Sequence, residues 1–167
     1  KTAAFSIPIL EQLDSLEDCR DPQAIIVVPT RELADQVGRE AKRLAAGVPT
    51  EIAVLAGGKN IRTQLRQLEN GVQIVVGTPG RVYDMINRGA LRLITVKAFV
   101  LDEADELLNM GFFEDIKAIL SHTPQEKSTW LFSATMPKEV SIIAKKFMAS
   151  PTETLFTLMI CWMPGRL

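Results

Sequence analysis

A chain of 167 residues, 47% hydrophobic and 23% charged, has the makeup of one globular domain, since a domain commonly takes roughly 100 to 200 residues. That excludes a disordered tail, a collagen-like fibre and a large multidomain enzyme. Nineteen Lys and Arg against twenty Asp and Glu leave a net charge of −1, so binding of nucleic acid by bulk electrostatics is excluded and any such contact needs a local patch.

Lys1-Thr2 opens directly onto a helical pattern with Ala3, Ile7, Leu10 and Leu13 on one stripe. Such a helix ordinarily follows a strand and a turn, so an upstream piece is expected. The first residues, KTAAFSIPIL, have neither the basic head nor the small-residue cleavage site of a secretory signal, and no run reaches the roughly 18 apolar residues of a membrane span. Apolar runs then recur at Ala24–Val28, Ile52–Leu55, Val72–Val76, Ala98–Leu101 and Thr129–Phe132. Most are continuous, as strands covered by helices on both faces are. Between them Leu33, Val37, Ala41 and Leu44, then Ile61, Leu65 and Leu68, and later Val140, Ala144 and Phe147 fall at three- and four-residue steps. This alternation predicts βα units in a mainly parallel sheet. Ser121-His122-Thr123-Pro124 reads as a helix end and a turn, which makes the single histidine a surface residue rather than the centre of a catalytic triad. Leu155–Met163 is the most apolar segment and reads as either a buried edge strand or a foreign terminus. Cys19 and Cys161 provide no disulfide framework or zinc spacing, so a reducing, intracellular compartment, cytoplasmic or nuclear, is expected.

In an open parallel sheet the loops leaving the C-terminal strand ends gather on one edge, where ligands bind. Here that edge collects Pro29–Glu32, Ala56–Lys59, Gly77–Arg81, Asp102–Asp105 and Ser133–Thr135. Asp102-Glu103 after an apolar run fits a Walker B element, in which the first carboxylate holds Mg²⁺ through water and the second polarises an attacking water. An acidic helix start accounts for the same residues. Lys1-Thr2 fits the end of a phosphate-binding loop, GxxxxGK[ST], with Lys on the outer phosphates and the hydroxyl on Mg²⁺. The Gly57-Gly58 and Thr78–Arg81 segments are turns on any reading, yet glycines also allow close backbone approach, and Arg31 and Arg81 at helix starts can engage phosphates. Ser133–Thr135 reads equally as a helix cap.

Taken in order, Lys1-Thr2, Pro29–Ala34 (PTRELA), Gly57-Gly58, Thr78–Arg81 (TPGR), Asp102–Asp105 (DEAD) and Ser133–Thr135 (SAT) closely resemble the first RecA-like domain of the DEAD-box RNA helicases. The resemblance runs from Lys1 to about Pro151. It implies an α/β, three-layer RecA-like P-loop NTPase fold with a mainly parallel sheet that lacks its first, phosphate-loop strand. Residues 1–151 would form a partial N-terminal ATP-binding domain and residues 152–167 an atypical apolar tail. ATP and Mg²⁺ are the implied cofactors: Lys1 on the phosphates, Thr2 and Asp102 on the Mg²⁺ through water, and Glu103 activating the hydrolytic water. Asp105, Ser133 and Thr135 would couple nucleotide state to RNA-dependent domain closure. Pro29, Thr30, Arg31, Gly57, Gly58, Thr78, Gly80 and Arg81 would face the RNA sugar-phosphate backbone, with little reading of base sequence. The family's adenine-reading Q motif, its phosphate-loop glycines and its second RecA-like domain all fall outside this sequence, and the final TLFTLMICWMPGRL matches the family poorly.

Two functions of different classes follow. One is the ATPase lobe of a helicase whose parent couples ATP hydrolysis to RNA unwinding; the other is a noncatalytic module that binds RNA backbone or a partner without hydrolysing ATP. Another P-loop ATPase, such as a DNA translocase, is disfavoured by PTRELA and TPGR. An unpaired sheet edge beside the phosphate-loop position would also leave the chain marginally stable or prone to self-association.

Overall fold

The computed structural model describes residues 1–14, 19–148, 151–156 and 159–164, the last two spans by their backbone. Five parallel strands form the centre: β1 (Ala24–Val27), β2 (Ile52–Leu55), β3 (Ile74–Gly77), β4 (Ala98–Leu101) and β5 (Ser128–Ser133). The third starts two residues later than the apolar run suggests, because Val72 and Gln73 still belong to the loop entering it: the Gln73 carbonyl accepts from the Gln23 and Ala24 amides ahead of β1. Spatial order is β2-β3-β1-β4-β5, so chain order is scrambled and GG, TPGR, PTRE, DEAD and SAT line the edge in that sequence.

Successive strand residues face opposite sides, and both sides are covered. Ile25 and Val27 belong to one apolar cluster with Phe99, Leu101 and Leu131; Ala24, Ile26 and Val28 belong to the other with Val100 and Phe132. Helices α1 (Thr2–Glu11) and α2 (Arg31–Leu44) cover the second cluster. Helices α3 (Ile61–Glu69), α4 (Pro79–Asn87), α5 (Ala104–Asn109), α6 (Phe113–Ser121) and α7 (Lys138–Phe147) cover the first. These are the three expected layers. No helix among the described residues is long and apolar enough to cross a membrane.

Two helix faces differ from expectation. In α1 the buried residues are Phe5, Ser6 and Ile9, while Ile7 is 47% exposed. This helix is apolar on all sides, so periodicity does not choose a face; the Phe5 ring does, packing edge-on against Phe132 at 5.4 Å between centroids. In α2 the buried face is Ala34, Val37, Gly38 and Ala41, with Leu33 and Leu44 at its margins, because small residues let the helix lie close to the sheet. His122 is an exposed C-cap of α6, its Nδ1 2.7 Å from the Ala118 carbonyl oxygen.

The C-terminal apolar segment is not one strand but two: β6 (Pro151–Phe156) and β7 (Met159–Pro164) pair antiparallel as a hairpin. Strand β7 runs antiparallel to β5, with Leu131 opposite Trp162 and Ser133 opposite Ile160, so the outer edge of β5 is paired there. The side chains of Phe147 and of the hairpin, including the Cys161 thiol, and the terminal Gly165-Arg166-Leu167 lie outside the described residues.

Candidate functional site

Strand β4 ends at Leu101, and the chain then turns sharply into α5. Asp102 is wholly buried at the turn. Glu103, the next residue, takes a left-handed backbone (φ 54°, ψ 52°) and is the only non-glycine residue with positive φ among the described residues. Such a conformation stores strain and is found where a side chain must be aimed. It leaves the Glu103 carboxylate 43% exposed beside a buried Asp102.

Lys1 reaches both carboxylates from the start of α1, its Nζ 2.8 Å from Asp102 Oδ1 and 3.3 Å from Glu103 Oε1. Residues about a hundred positions apart in sequence therefore meet at one point. Burial works against the Lys1 charge, yet the hydrogen bond and attraction from Asp102, joined by Glu103, outweigh it and raise the ammonium above its ordinary value. Burial pushes the Asp102 carboxyl above its usual range, against the pull of Lys1. Asp102 Oδ1 also accepts from the Glu103 amide at 3.0 Å, whereas the buried Oδ2 has no partner.

Next to this cluster, Asp105, Ser133 and Thr135 are wired together. Asp105 Oδ2 accepts from the Thr135 amide at 2.9 Å and from its hydroxyl at 2.8 Å. The Ser133 hydroxyl accepts from the Asp105 amide at 3.2 Å and donates to the Thr135 carbonyl at 2.6 Å. Burial opposes ionisation of Asp105, but the hydrogen bonds from Thr135 and Ser133 hold its carboxyl below the ordinary range. An open cleft of about 520 Å³ joins the two groups, lined by Lys1, Thr30, Glu103, Asp105, Ser133 and Ala134 with Glu106 and Phe132. Thr2 lies half-buried in the first turn of α1.

The remaining expected residues lie on the other half of the edge. Pro29 is buried, and Thr30 caps α2 by accepting from the Leu33 amide at 3.2 Å. Arg31 turns toward the Gly57-Gly58 loop: a Cβ on Gly58, which has φ +72°, would meet the Arg31 guanidinium at 2.8 Å. Thr78 precedes Pro79 at the first turn of α4 with its hydroxyl free of capping, and Gly80 faces open space. Arg81 is only 15% exposed, 3.9 Å from Asp84, and its buried Nη1 has no acceptor. Sequence reasoning missed Glu106 and Phe132, which lie next to named motifs, and the strained backbone of Glu103, for which the sequence carries no signal.

The residues at the cleft, together with Asp102 and Thr2 next to Glu103 and Lys1 in the chain, fit Mg²⁺ with a polyphosphate. Among the described residues no group of three or more His, Cys, Asp or Glu is placed to hold a metal directly. One buried carboxylate with an unpartnered oxygen, a second carboxylate and a hydroxyl suit an ion that keeps its waters and shares phosphate oxygens.

The model of the DEAD/DEAH box helicase family matches residues 1–143. The DEAD-box ATP-dependent RNA helicase CshA of Geobacillus kaustophilus is 52% identical over 151 residues, 90% of this chain and 32% of that protein. CshA of Limosilactobacillus reuteri is 50% identical over 90% of this chain and 30% of that protein. The chain thus spans about a third of the length of these relatives. Among solved structures, a DEAD box protein from Methanococcus jannaschii superposes with a TM-score of 0.83 at 49% identity, covering 89% of this chain and 40% of that one. The yeast DEAD-box splicing factor Prp28 superposes with a TM-score of 0.82 at 29% identity, covering 89% and 37%. With its motifs gathered on one sheet edge and a family match over most of its length, the chain belongs to the DEAD/DEAH box helicases.

Proposed function

We propose that this chain is the ATP-binding lobe of an intracellular RNA helicase, residues 1–151 forming the RecA-like unit. In the parent protein a second RecA-like domain would complete the ATP site and clamp the RNA. The observation that carries this reading is the joining of Lys1, Asp102 and Glu103 beside the Asp105–Ser133–Thr135 network. Lys1 would take the outer phosphates of ATP, and Thr2 and Asp102 would hold Mg²⁺. When bound, Mg²⁺ neutralises charge that develops on the phosphate oxygens. Glu103, exposed and held out by its left-handed backbone, accepts the proton of the attacking water. In the free protein Lys1 is bound to both carboxylates, so nucleotide binding must draw its ammonium away from at least one of them.

Asp105, Ser133 and Thr135 join the strand end carrying the carboxylates to the one beside it, and a change on either side shifts both. Thr30, Arg31, Gly57, Gly58, Thr78, Gly80 and Arg81 form the RNA backbone surface, with Pro29 as a buried support. Arg81 fits this role because its buried Nη1 still needs an acceptor, which a phosphate oxygen supplies.

Thermal unfolding of the chain with and without Mg²⁺-ATP tests the reading. A ligand bound only by the folded state raises stability by about 2.7 kcal/mol at a hundredfold excess over its Kd. An upward shift is expected. A cooperative transition that ATP leaves unmoved would favour the second reading, a noncatalytic RNA-binding module, for which the engagement of Lys1 by Asp102 and Glu103 is the supporting observation.

A further inference from the structure

Strand β2 is the edge of the sheet, with α2 on one face and α3 on the other. Between the two helices lies a groove of about 360 Å³, floored by Val54 and walled by Arg39 and Lys42 of α2 and by Gln64 and Gln67 of α3. Lys42 and Gln67 also line a second cleft of about 320 Å³ that continues toward Asn70 and Glu51, so the two form one track. At its other end the groove reaches Lys59 and Asn60, immediately after the Gly57-Gly58 turn.

Three features specify what fits. Arg39 and Lys42 are exposed and, among the described residues, take part in no ion pair or hydrogen bond, whereas nearby Arg43 and Lys59 are paired with Glu40 and Asp35. Gln64 is 97% buried by its 3% exposure, donates Nε2 to the Ala56 carbonyl at 3.1 Å and leaves its buried Oε1 without a donor. Rotating the amide would set oxygen against oxygen, so the unmet group is an acceptor. From Arg31 to Glu69 the chain carries seven Lys and Arg against five Asp and Glu, a local basic excess in a chain of net charge −1. The missing partner therefore offers anions to Arg39 and Lys42 and a hydroxyl or amino donor to the Gln64 wall.

We infer that the α2–α3 groove is a second RNA contact, taking the strand onward from the glycine loop, with its phosphates on Arg39 and Lys42 and a ribose hydroxyl or base amino group on Gln64. This rests on the RNA-binding reading of the neighbouring loops and extends it by a few nucleotides around the sheet edge. A 2′-hydroxyl supplies the donor that deoxyribose lacks.

Fluorescence anisotropy of the chain with single-stranded RNAs of about 6 and about 14 nucleotides tests it. Wild type should bind the longer RNA more tightly, and Arg39→Ala/Lys42→Ala should remove that advantage while leaving the short RNA unaffected. Each phosphate contact on a single strand contributes about 0.7 to the slope of log K against log salt, so the double variant should lose about 1.4 from the slope with the longer RNA. Gln64→Leu should bind long RNA and long DNA alike if wild type prefers RNA. Arg81→Ala is the control for the loop surface and should weaken both lengths. If Arg81→Ala weakens binding but the double variant keeps the full length advantage and salt slope, the groove inference is overturned and the loop reading stands, leaving the groove to an acidic peptide added to the β2 edge. If wild type binds neither RNA, the loop reading and this extension fall together.

Discussion

Glu103 and Asp102 are neighbours in sequence with opposite environments, one 43% exposed and one sealed in. The exposed carboxylate is open to a water in the cleft, while the buried one is held in place by Lys1 and by the Glu103 amide. Replacing Glu103 by Gln in the full-length parent should therefore lower turnover by at least a hundredfold, the scale at which general bases contribute, while nucleotide binding persists; turnover close to wild type would remove Glu103 from this role. Asp105 gives a second prediction at this scale. Its folded carboxyl lies below the ordinary value near 3.8, so the stabilisation is present above that value and is lost as pH falls through the lower folded one. Asp102 has the opposite sign: its raised carboxyl favours the folded state at low pH and weighs against it as pH rises through that raised value. Melting curves from pH 3 to pH 7 should show Asp105→Asn losing less stability on acidification than wild type. Parallel curves would show that the Asp105–Thr135 bonds carry no such linkage.

At the scale of elements, α1 is positioned by one ring. Phe5 is fully buried and meets Phe132 on β5, and the same helix carries Lys1 and Thr2 at its start. Phe5→Ala should cost about 3–5 kcal/mol in chemical denaturation, the usual range for emptying a buried aromatic site; a loss under 1 kcal/mol would show that α1 is held otherwise. The sequence made the strands legible because they are continuous apolar runs, and α2, α3 and α7 legible because each has one apolar stripe. It misassigned the face of α1, since a helix apolar all round has no stripe to read. It left Leu155–Met163 open between an edge strand and a foreign terminus, because an apolar run with no glycine or proline in it carries no sign of being divided between two paired strands. The site was legible to the extent that hydroxyl, glycine and carboxylate residues followed each strand. Their pairwise meetings were not, because Lys1 with Asp102 and Asp105 with Thr135 are joined only by strand order, which short-range patterning does not encode.

For the whole molecule, the hairpin is the part least related to the family pattern, and its role is geometric: β7 covers the end of β5. A bare strand edge invites pairing with another chain. Ending the chain after Met148 should raise self-association with concentration, read by sedimentation velocity against the intact chain; a truncated form that stays monomeric over the same series would show that the β5 edge needs no cover.

The order of strands has one more consequence. β1 and β4 are hydrogen-bonded neighbours, and adjacent strands lie about 4.8 Å apart. The Thr30–Arg31 turn leaves one and the Asp102–Glu103 turn leaves the other, so the two halves of the ligand-bearing edge meet along a single seam. Thr30 belongs to both, capping the helix that starts with Arg31 and forming a wall of the cleft beside Lys1. On the roles proposed for these two turns, RNA and nucleotide would share this wall, and thermodynamic reciprocity would fix any exchange between them: whatever factor RNA adds to nucleotide affinity, nucleotide returns to RNA. Such coupling would need no relay through the core.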